Sequence, residues 1–137
     1  MSGLILLDNE AVRALQDPGH RKHRQVVSQF QVVAIRKRRA VQIEVGVPTA
    51  VRVEAGWERT SPAWAFANRL RIADIPLDAA QANAAAAIRN RTGVSVADAH
   101  IGAVIQAAPV TQVTVVTSDP ADIRRVAGDR AVTVVSI

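Results

Sequence analysis

Two rhythms of apolar and polar positions run along this chain. The run Leu4–Leu7 is apolar without interruption and stops at Asp8, which predicts a short strand buried on both faces. "VQIEVGV" (41–47) alternates, with Val41, Ile43, Val45 and Val47 on one face, and predicts a second strand. "QVTVVT" before Ser118 and "AVTVVSI" at the end predict two more, and "IADIPLD" a short strand or extended link. Between them the period changes. "NEAVRAL" fits a short helix, and Asp17-Pro18 is placed to cap a longer one over 18–39, with Val26, Phe30, Val33 and Ala34 as its stripe. Pro48-Thr49 opens a helix through "AVRVEAGWER", and Ser61-Pro62 opens another through "AWAFANRL". Asp78 caps an alanine-rich helix that Gly93 ends. Ser95 caps "VADAHIGAVIQAA", apolar almost all round and therefore expected to be buried, and Asp119-Pro120 starts a short helix through "PADIRRVAG". Strands separated by helices predict an α/β domain spanning 1–137 with a mainly parallel sheet of about five strands.

Composition narrows the chemistry. Hydrophobic residues are 49% and charged residues 21% of 137, which fits a chain with a real core rather than a disordered one. The absence of cysteine excludes disulfides, thiolate zinc sites and cysteine nucleophiles. No apolar run approaches the length of a membrane span, and "MSGLILL" is too short for a secretory signal, so a cytoplasmic location without membrane attachment is expected. Seventeen basic residues against twelve acids leave a charge of +5, which suits a polyanionic partner. The excess is concentrated in "HRKHR" (20–24) and "RKRR" (36–39), which hold both lysines of the chain. Arg21, Lys22, Arg24, Arg36, Lys37, Arg38 and Arg39 are thus candidate nucleic-acid contacts, though a solvated face on a core-packing helix would look the same.

The acids matter by position. An α/β sheet binds ligands outside the carboxyl ends of its strands, where Asp8 and Asp119 both fall. Either could serve only as a helix cap, and Ser95-x-x-Asp98 could be a capping box. Asp98 nevertheless lies in the first turn of an apolar helix, where a carboxylate must be paired or bind a cation. Glu54 has no capping role and is expected to be a buried acid on the side of Ala50 and Trp57. Glu10, Asp17, Glu44, Glu58, Asp74, Asp78 and Asp129 read as caps or surface acids, and His20, His23 and His100 are not needed as ligands. Several carboxylates at one edge repel unless a divalent cation lies among them, and oxygen-only donors select Mg²⁺ or Mn²⁺. Such ions activate water against phosphodiesters.

"LILLDNEAV", "VPTAVRVEAG", "SVADAHIGAVIQA" and "VTVVTSDPADIRRVAG", in this order and spacing, resemble the PIN-domain ribonucleases, and within them the VapC toxins of bacterial toxin–antitoxin pairs. The resemblance spans nearly the whole chain and implies a PIN-like three-layer fold. It implies that Asp8, Glu54, Asp98 and Asp119 form the catalytic acidic set. Asp8, Asp98, Asp119 and Asp122 would be the metal-facing acids, with Thr117 and Asn9 in support. It further implies Mg²⁺- or Mn²⁺-dependent RNA cleavage leaving a 5′-phosphate and 3′-hydroxyl, a homodimer, and a cognate antitoxin that covers the groove.

Other classes are weaker matches. A phosphoacceptor domain needs a lysine after a late strand, and none follows Lys37. A haloacid-dehalogenase-like phosphatase needs the same lysine and an acid two residues after its nucleophile, where Glu10 stands. A PIN-like nuclease with no antitoxin, or a non-catalytic nucleic-acid-binding module, would leave the fold unchanged. For the latter, 3% aromatic residues provide few stacking platforms.

Overall fold

Among the described residues, five strands form one sheet in the order β3-β2-β1-β4-β5, and every neighbouring pair is parallel. The computed structural model describes residues 2–38 and 42–137, without the side chains of 32 and 34–38. The strands are β1 (Ser2–Leu7), β2 (Gln42–Pro48), β3 (Ile72–Ile75), β4 (Gln112–Thr117) and β5 (Thr133–Ser136). The helices are α1 (Asn9–Gln16), α2 (His23–Arg38), α3 (Thr49–Ala55), α4 (Ala65–Arg69), α5 (Ala79–Thr92), α6 (Val96–Ala107) and α7 (Pro120–Ala127). A 3₁₀ turn, Pro62–Trp64, leads into α4.

The central strand β1 is flanked by β2 and β4, registered as Ile5 beside Val45 and Leu7 beside Val116. Leu6, Leu7, Val47, Val115 and Val116 are buried, as a sheet covered by helices requires. The chain leaves β1 toward β2 on one side and later returns as β4 on the other. The carboxyl ends of β1 and β4 therefore flank the point where the strand order reverses, the place where open α/β sheets bind ligands.

Several expected boundaries move. Asp17-Pro18 does not open the second helix: Asp17 Oδ1 accepts from the Gly19 N–H at 2.9 Å in a tight turn, and α2 begins at His23. Gly19 directly after Pro18 makes the turn preferable to a helical start. The helix after Pro48 ends at Ala55, because Gly56 takes the left-handed conformation (φ 75°) and turns the chain. Trp57 therefore lies beyond the helix, stacked on Trp64 at 5.7 Å and donating from Nε1 to Asn68. Arg52 and Arg59 flank Trp57 and both pair with Asp74, which ties the end of α3 to β3. Arg130 donates to the carbonyls of Ile105, Ala108 and Val110, satisfying groups that the end of α6 leaves open.

Helix α6 is the buried helix expected from its composition, and it packs between α5 and α7. At Gly102 a Cβ would stand 2.7 Å from Val126 Cβ and 2.9 Å from the Val126 carbonyl oxygen. Gly102→Ala should destabilise the protein by about 1–3 kcal/mol through overpacking, more than the gain of up to about 1 kcal/mol in helix propensity. A lower urea midpoint at unchanged slope is the expected reading. A raised midpoint would show that α7 yields freely.

Candidate acidic site

Asp8 sits where β1 gives way to α1 and is 6% exposed. Both its oxygens are engaged. Oδ1 accepts from the Ala11 N–H at 2.8 Å, capping α1; Oδ2 accepts from the Thr117 hydroxyl at 2.6 Å and the Ser118 N–H at 3.1 Å. The Thr117 oxygen in turn accepts from the Asp119 N–H at 2.9 Å. One buried hydroxyl thus connects the ends of β1 and β4. Burial pushes the Asp8 carboxyl above its ordinary pKa and Glu10 adds to the rise, while the three donors offset part of it.

Asp98 stands in the first turn of α6. Ser95 caps that helix through the Asp98 N–H at 3.1 Å, but the reciprocal bond of a capping box is absent among the described residues. The Asp98 carboxyl makes no hydrogen bond there, so capping does not account for it. Its pKa is raised to about 6, first by burial and then by the charges of Asp122, Asp8, Glu54 and Asp119. Acids at the end of β1, in α3 and at the start of α7 therefore all act on Asp98 at this edge of the sheet.

The members of the set differ in placement. Asp119 is exposed and caps α7, its Oδ1 accepting weakly from the Asp122 N–H at 3.4 Å. Asp122 pairs with Arg125 at 3.1 Å. Glu54, expected to be buried, is exposed, because α3 ends one residue later and leaves its last turn in solvent. Arg21 and Arg24 are exposed and Lys22 half-buried, while Arg36, Lys37, Arg38 and Arg39 lie outside the described side chains.

Two histidine arrangements escaped the sequence reading. His20 meets Glu10 at 2.9 Å, although Glu10 reads as a surface acid. His100 is fully buried and its Nδ1 accepts from the Ala50 N–H at 3.3 Å, fastening α6 to α3. Burial lowers its pKa; the nearby Pro76 carbonyl, outside hydrogen-bonding geometry, and Asp78 offset this only in part. Spacing places His100 on a different side of α6 from Asp98 but does not show that α3 covers that side.

Among the described residues no three Asp, Glu or His side chains stand as a ready-made cage for an ion. The donor set still fits a hard cation: oxygen ligands only, four acidic charges acting on Asp98, and a buried Asn9 Oδ1 without a hydrogen-bond partner beside Asp8.

No family model and no curated protein matches this chain. Its fold resembles that in the crystal structure of FitAcB from Neisseria gonorrhoeae, with a TM-score of 0.57, 20% identity and 96% of both chains covered. It also resembles VapBC2 from Rickettsia felis bound to a DNA fragment from their promoter, with a TM-score of 0.60, 11% identity and 96% and 98% coverage. FitAB bound to an IR36 DNA fragment gives 0.55, 21%, and 95% and 94%. The α/β, PIN-like fold stands, with a wholly parallel five-stranded sheet.

The narrower assignment to the PIN-domain ribonucleases and the VapC-type toxins is corrected by the same findings. The similar structures are FitAB and VapBC complexes, named for both partners, and no family model carries the toxin label to this chain. At 11–21% identity a common fold preserves the path of the backbone, not the role of one partner. Among the described residues no helix is long and apolar enough to cross a membrane.

Proposed function

We propose that this chain is a Mg²⁺- or Mn²⁺-dependent endoribonuclease working within a two-protein module of the kind its structural neighbours represent. The observation that carries this reading is the meeting of acids at the carboxyl ends of β1 and β4, where the buried Thr117 hydroxyl ties Asp8 to Asp119 and the Asp98 carboxyl stands beside them without a hydrogen-bond partner among the described residues. Clustered acids at a strand-order reversal cost stability, and cation-dependent chemistry is a physical reason to retain them.

Asp8, Asp98, Asp119 and Asp122 would hold the cation, with Glu54 completing the catalytic set. When bound, the cation supplies charge neutralisation, an activated water and stabilisation of the pentacoordinate phosphate. The chain itself sets the geometry. The Ala11 and Ser118 N–H groups and the Thr117 hydroxyl fix the Asp8 carboxylate in one orientation. Thr117 also holds the backbone at Asp119, so the two acids keep a constant relation. Asp98, its carboxyl raised to about 6, is mostly ionised at neutral pH and would be available to hold the cation. Arg21, Lys22 and Arg24 supply positive charge for the phosphate backbone. A partner protein would seat on the apolar shelf of Val53, Leu77 and Val96, which are exposed beside Glu54.

The test is incubation of the purified chain with single-stranded RNA in Mg²⁺, Mn²⁺ or EDTA. Cleavage that needs the ion and leaves 5′-phosphate ends is expected. Cleavage in EDTA, or RNA that binds but survives in both ions, would overturn the reading.

A further inference from the structure

The His20–Glu10 contact joins the basic turn to the acidic edge. Glu10 lies in the first turn of α1, two residues after Asp8, and its charge acts on Asp8. His20 Nδ1 accepts from the Lys22 N–H at 3.1 Å, so its Nε2–H is the group that donates to Glu10 Oε1 at 2.9 Å. Both side chains are partly shielded from solvent. The turn is built around this contact. The His20 N–H donates to the Asp17 carbonyl at 2.9 Å, and the His23 N–H to the His20 carbonyl at 3.0 Å. His23 Nδ1 donates to the Ala14 carbonyl at 2.8 Å, so the turn is fastened to α1 at a second point. Arg21, Lys22 and Arg24 have no acidic partner among the described residues. Three cations are thus held, through the His20 ring, against the helix that Asp8 caps.

We propose that the His20–Glu10 pair is a latch that holds the turn 20–24 beside the acidic edge, where Arg21, Lys22 and Arg24 grip phosphates of the RNA strand flanking the scissile bond. The proposal rests on the ribonuclease reading for its substrate. Its geometry rests on the latch alone. His20 and Glu10 are positioning residues, acting through the three cations.

The experiment measures binding of a fluorescent single-stranded RNA in EDTA across a salt series, and KM and kcat in Mg²⁺. Replacing Arg21, Lys22 and Arg24 by alanine should flatten the log K against log salt slope by about 0.7 per charge, about 2 for the triple variant. His20→Ala should raise KM by about two- to tenfold at unchanged kcat, the range of one lost hydrogen bond, and Glu10→Ala should raise KM by as much. The double variant should add little to either, and Glu10→Gln, which still accepts from His20, should restore the wild-type KM. If Glu10 only repels RNA, Glu10→Ala and Glu10→Gln will both bind more tightly, and the latch is overturned. An unchanged slope in the triple variant, or preference for duplex DNA independent of these cations, also overturns it. Binding in EDTA is read without cleavage, so an RNA that binds through the turn but is never cut refutes the nuclease reading and leaves the latch standing.

Discussion

Asp8→Asn should lower RNA cleavage at saturating Mg²⁺ by at least about a hundredfold, the scale for losing one preorganised charge-stabilising group. The variant should remain folded, and the hydrogen bonds say why. Asparagine is as good an N-cap as aspartate, so the bond from Ala11 can survive through its amide oxygen. Its NH₂ then takes the place of Oδ2 and faces two donors, the Thr117 hydroxyl and the Ser118 N–H. The hydroxyl can rotate and accept, but the N–H cannot, and an unmet donor costs about 1–3 kcal/mol. Against this, the variant removes a buried charge that the fold disfavours, since burial outweighs the three donors at Asp8. The opposing effects leave a net change within about 2 kcal/mol, visible as a modest shift in thermal midpoint. Full cleavage by the folded variant would remove Asp8 from the chemistry. Lost cleavage with lost folding would be uninformative alone, so the midpoint and the rate are measured on the same preparation.

The difference between this acid and its neighbours shows how far sequence could reach. The positions of Asp8 and Asp119 were legible because strand ends are: a carboxylate at or just beyond the end of an apolar run falls at the sheet edge whatever the helices do. The parallel sheet was legible for a related reason, since strands separated one from the next by helices read as an α/β domain with a mainly parallel sheet. Glu54 was misjudged because its burial depended on where α3 stops. Gly56 ends the helix before Trp57 can share a face with Glu54. Helix ends depend on a left-handed residue and on tertiary contacts, here the stack of Trp57 on Trp64 and the Arg52–Asp74–Arg59 pairs. The start of α2 failed the same way, Asp17 being drawn into a turn by Gly19. Long-range pairs carried no local signal. Nothing in "DNEAVRAL" indicates that His20 folds back on Glu10, or that Ala50 lies against His100. Those contacts are made by packing, which periodicity does not encode.

Asp98→Asn should abolish cleavage and at the same time make the metal-free protein more stable at neutral pH. The folded pKa of about 6 lies above the ordinary 3.8, so between these values the folded state binds more protons than the unfolded chain. Stability therefore falls as pH rises through this window: the contribution of the protonated form is complete below 3.8 and gone above about 6. The full shift would correspond to about 3 kcal/mol, but the side chain is only partly buried, and solvent screening reduces this to on the order of 1–2 kcal/mol. A neutral amide removes that penalty and forfeits no hydrogen bond, because the Asp98 carboxyl makes none among the described residues. The opposing loss is the favourable interaction of a first-turn acid with the α6 dipole, about 0.3–1 kcal/mol, so the net effect remains stabilising. Urea midpoints at pH 5 and pH 7.5 separate these terms, since the wild type should lose stability between the two pH values and the variant should lose less. Mg²⁺ at a hundredfold excess over its dissociation constant should stabilise the wild type at pH 7.5 by about 2.7 kcal/mol and the variant by much less. A variant that is less stable than wild type at pH 7.5, or equally stabilised by Mg²⁺, would mean that Asp98 belongs to the packing of α6 and not to a cation site. An acid retained at such a cost, in a helix that would be firmer without it, is what a site selected for chemistry rather than for stability should contain.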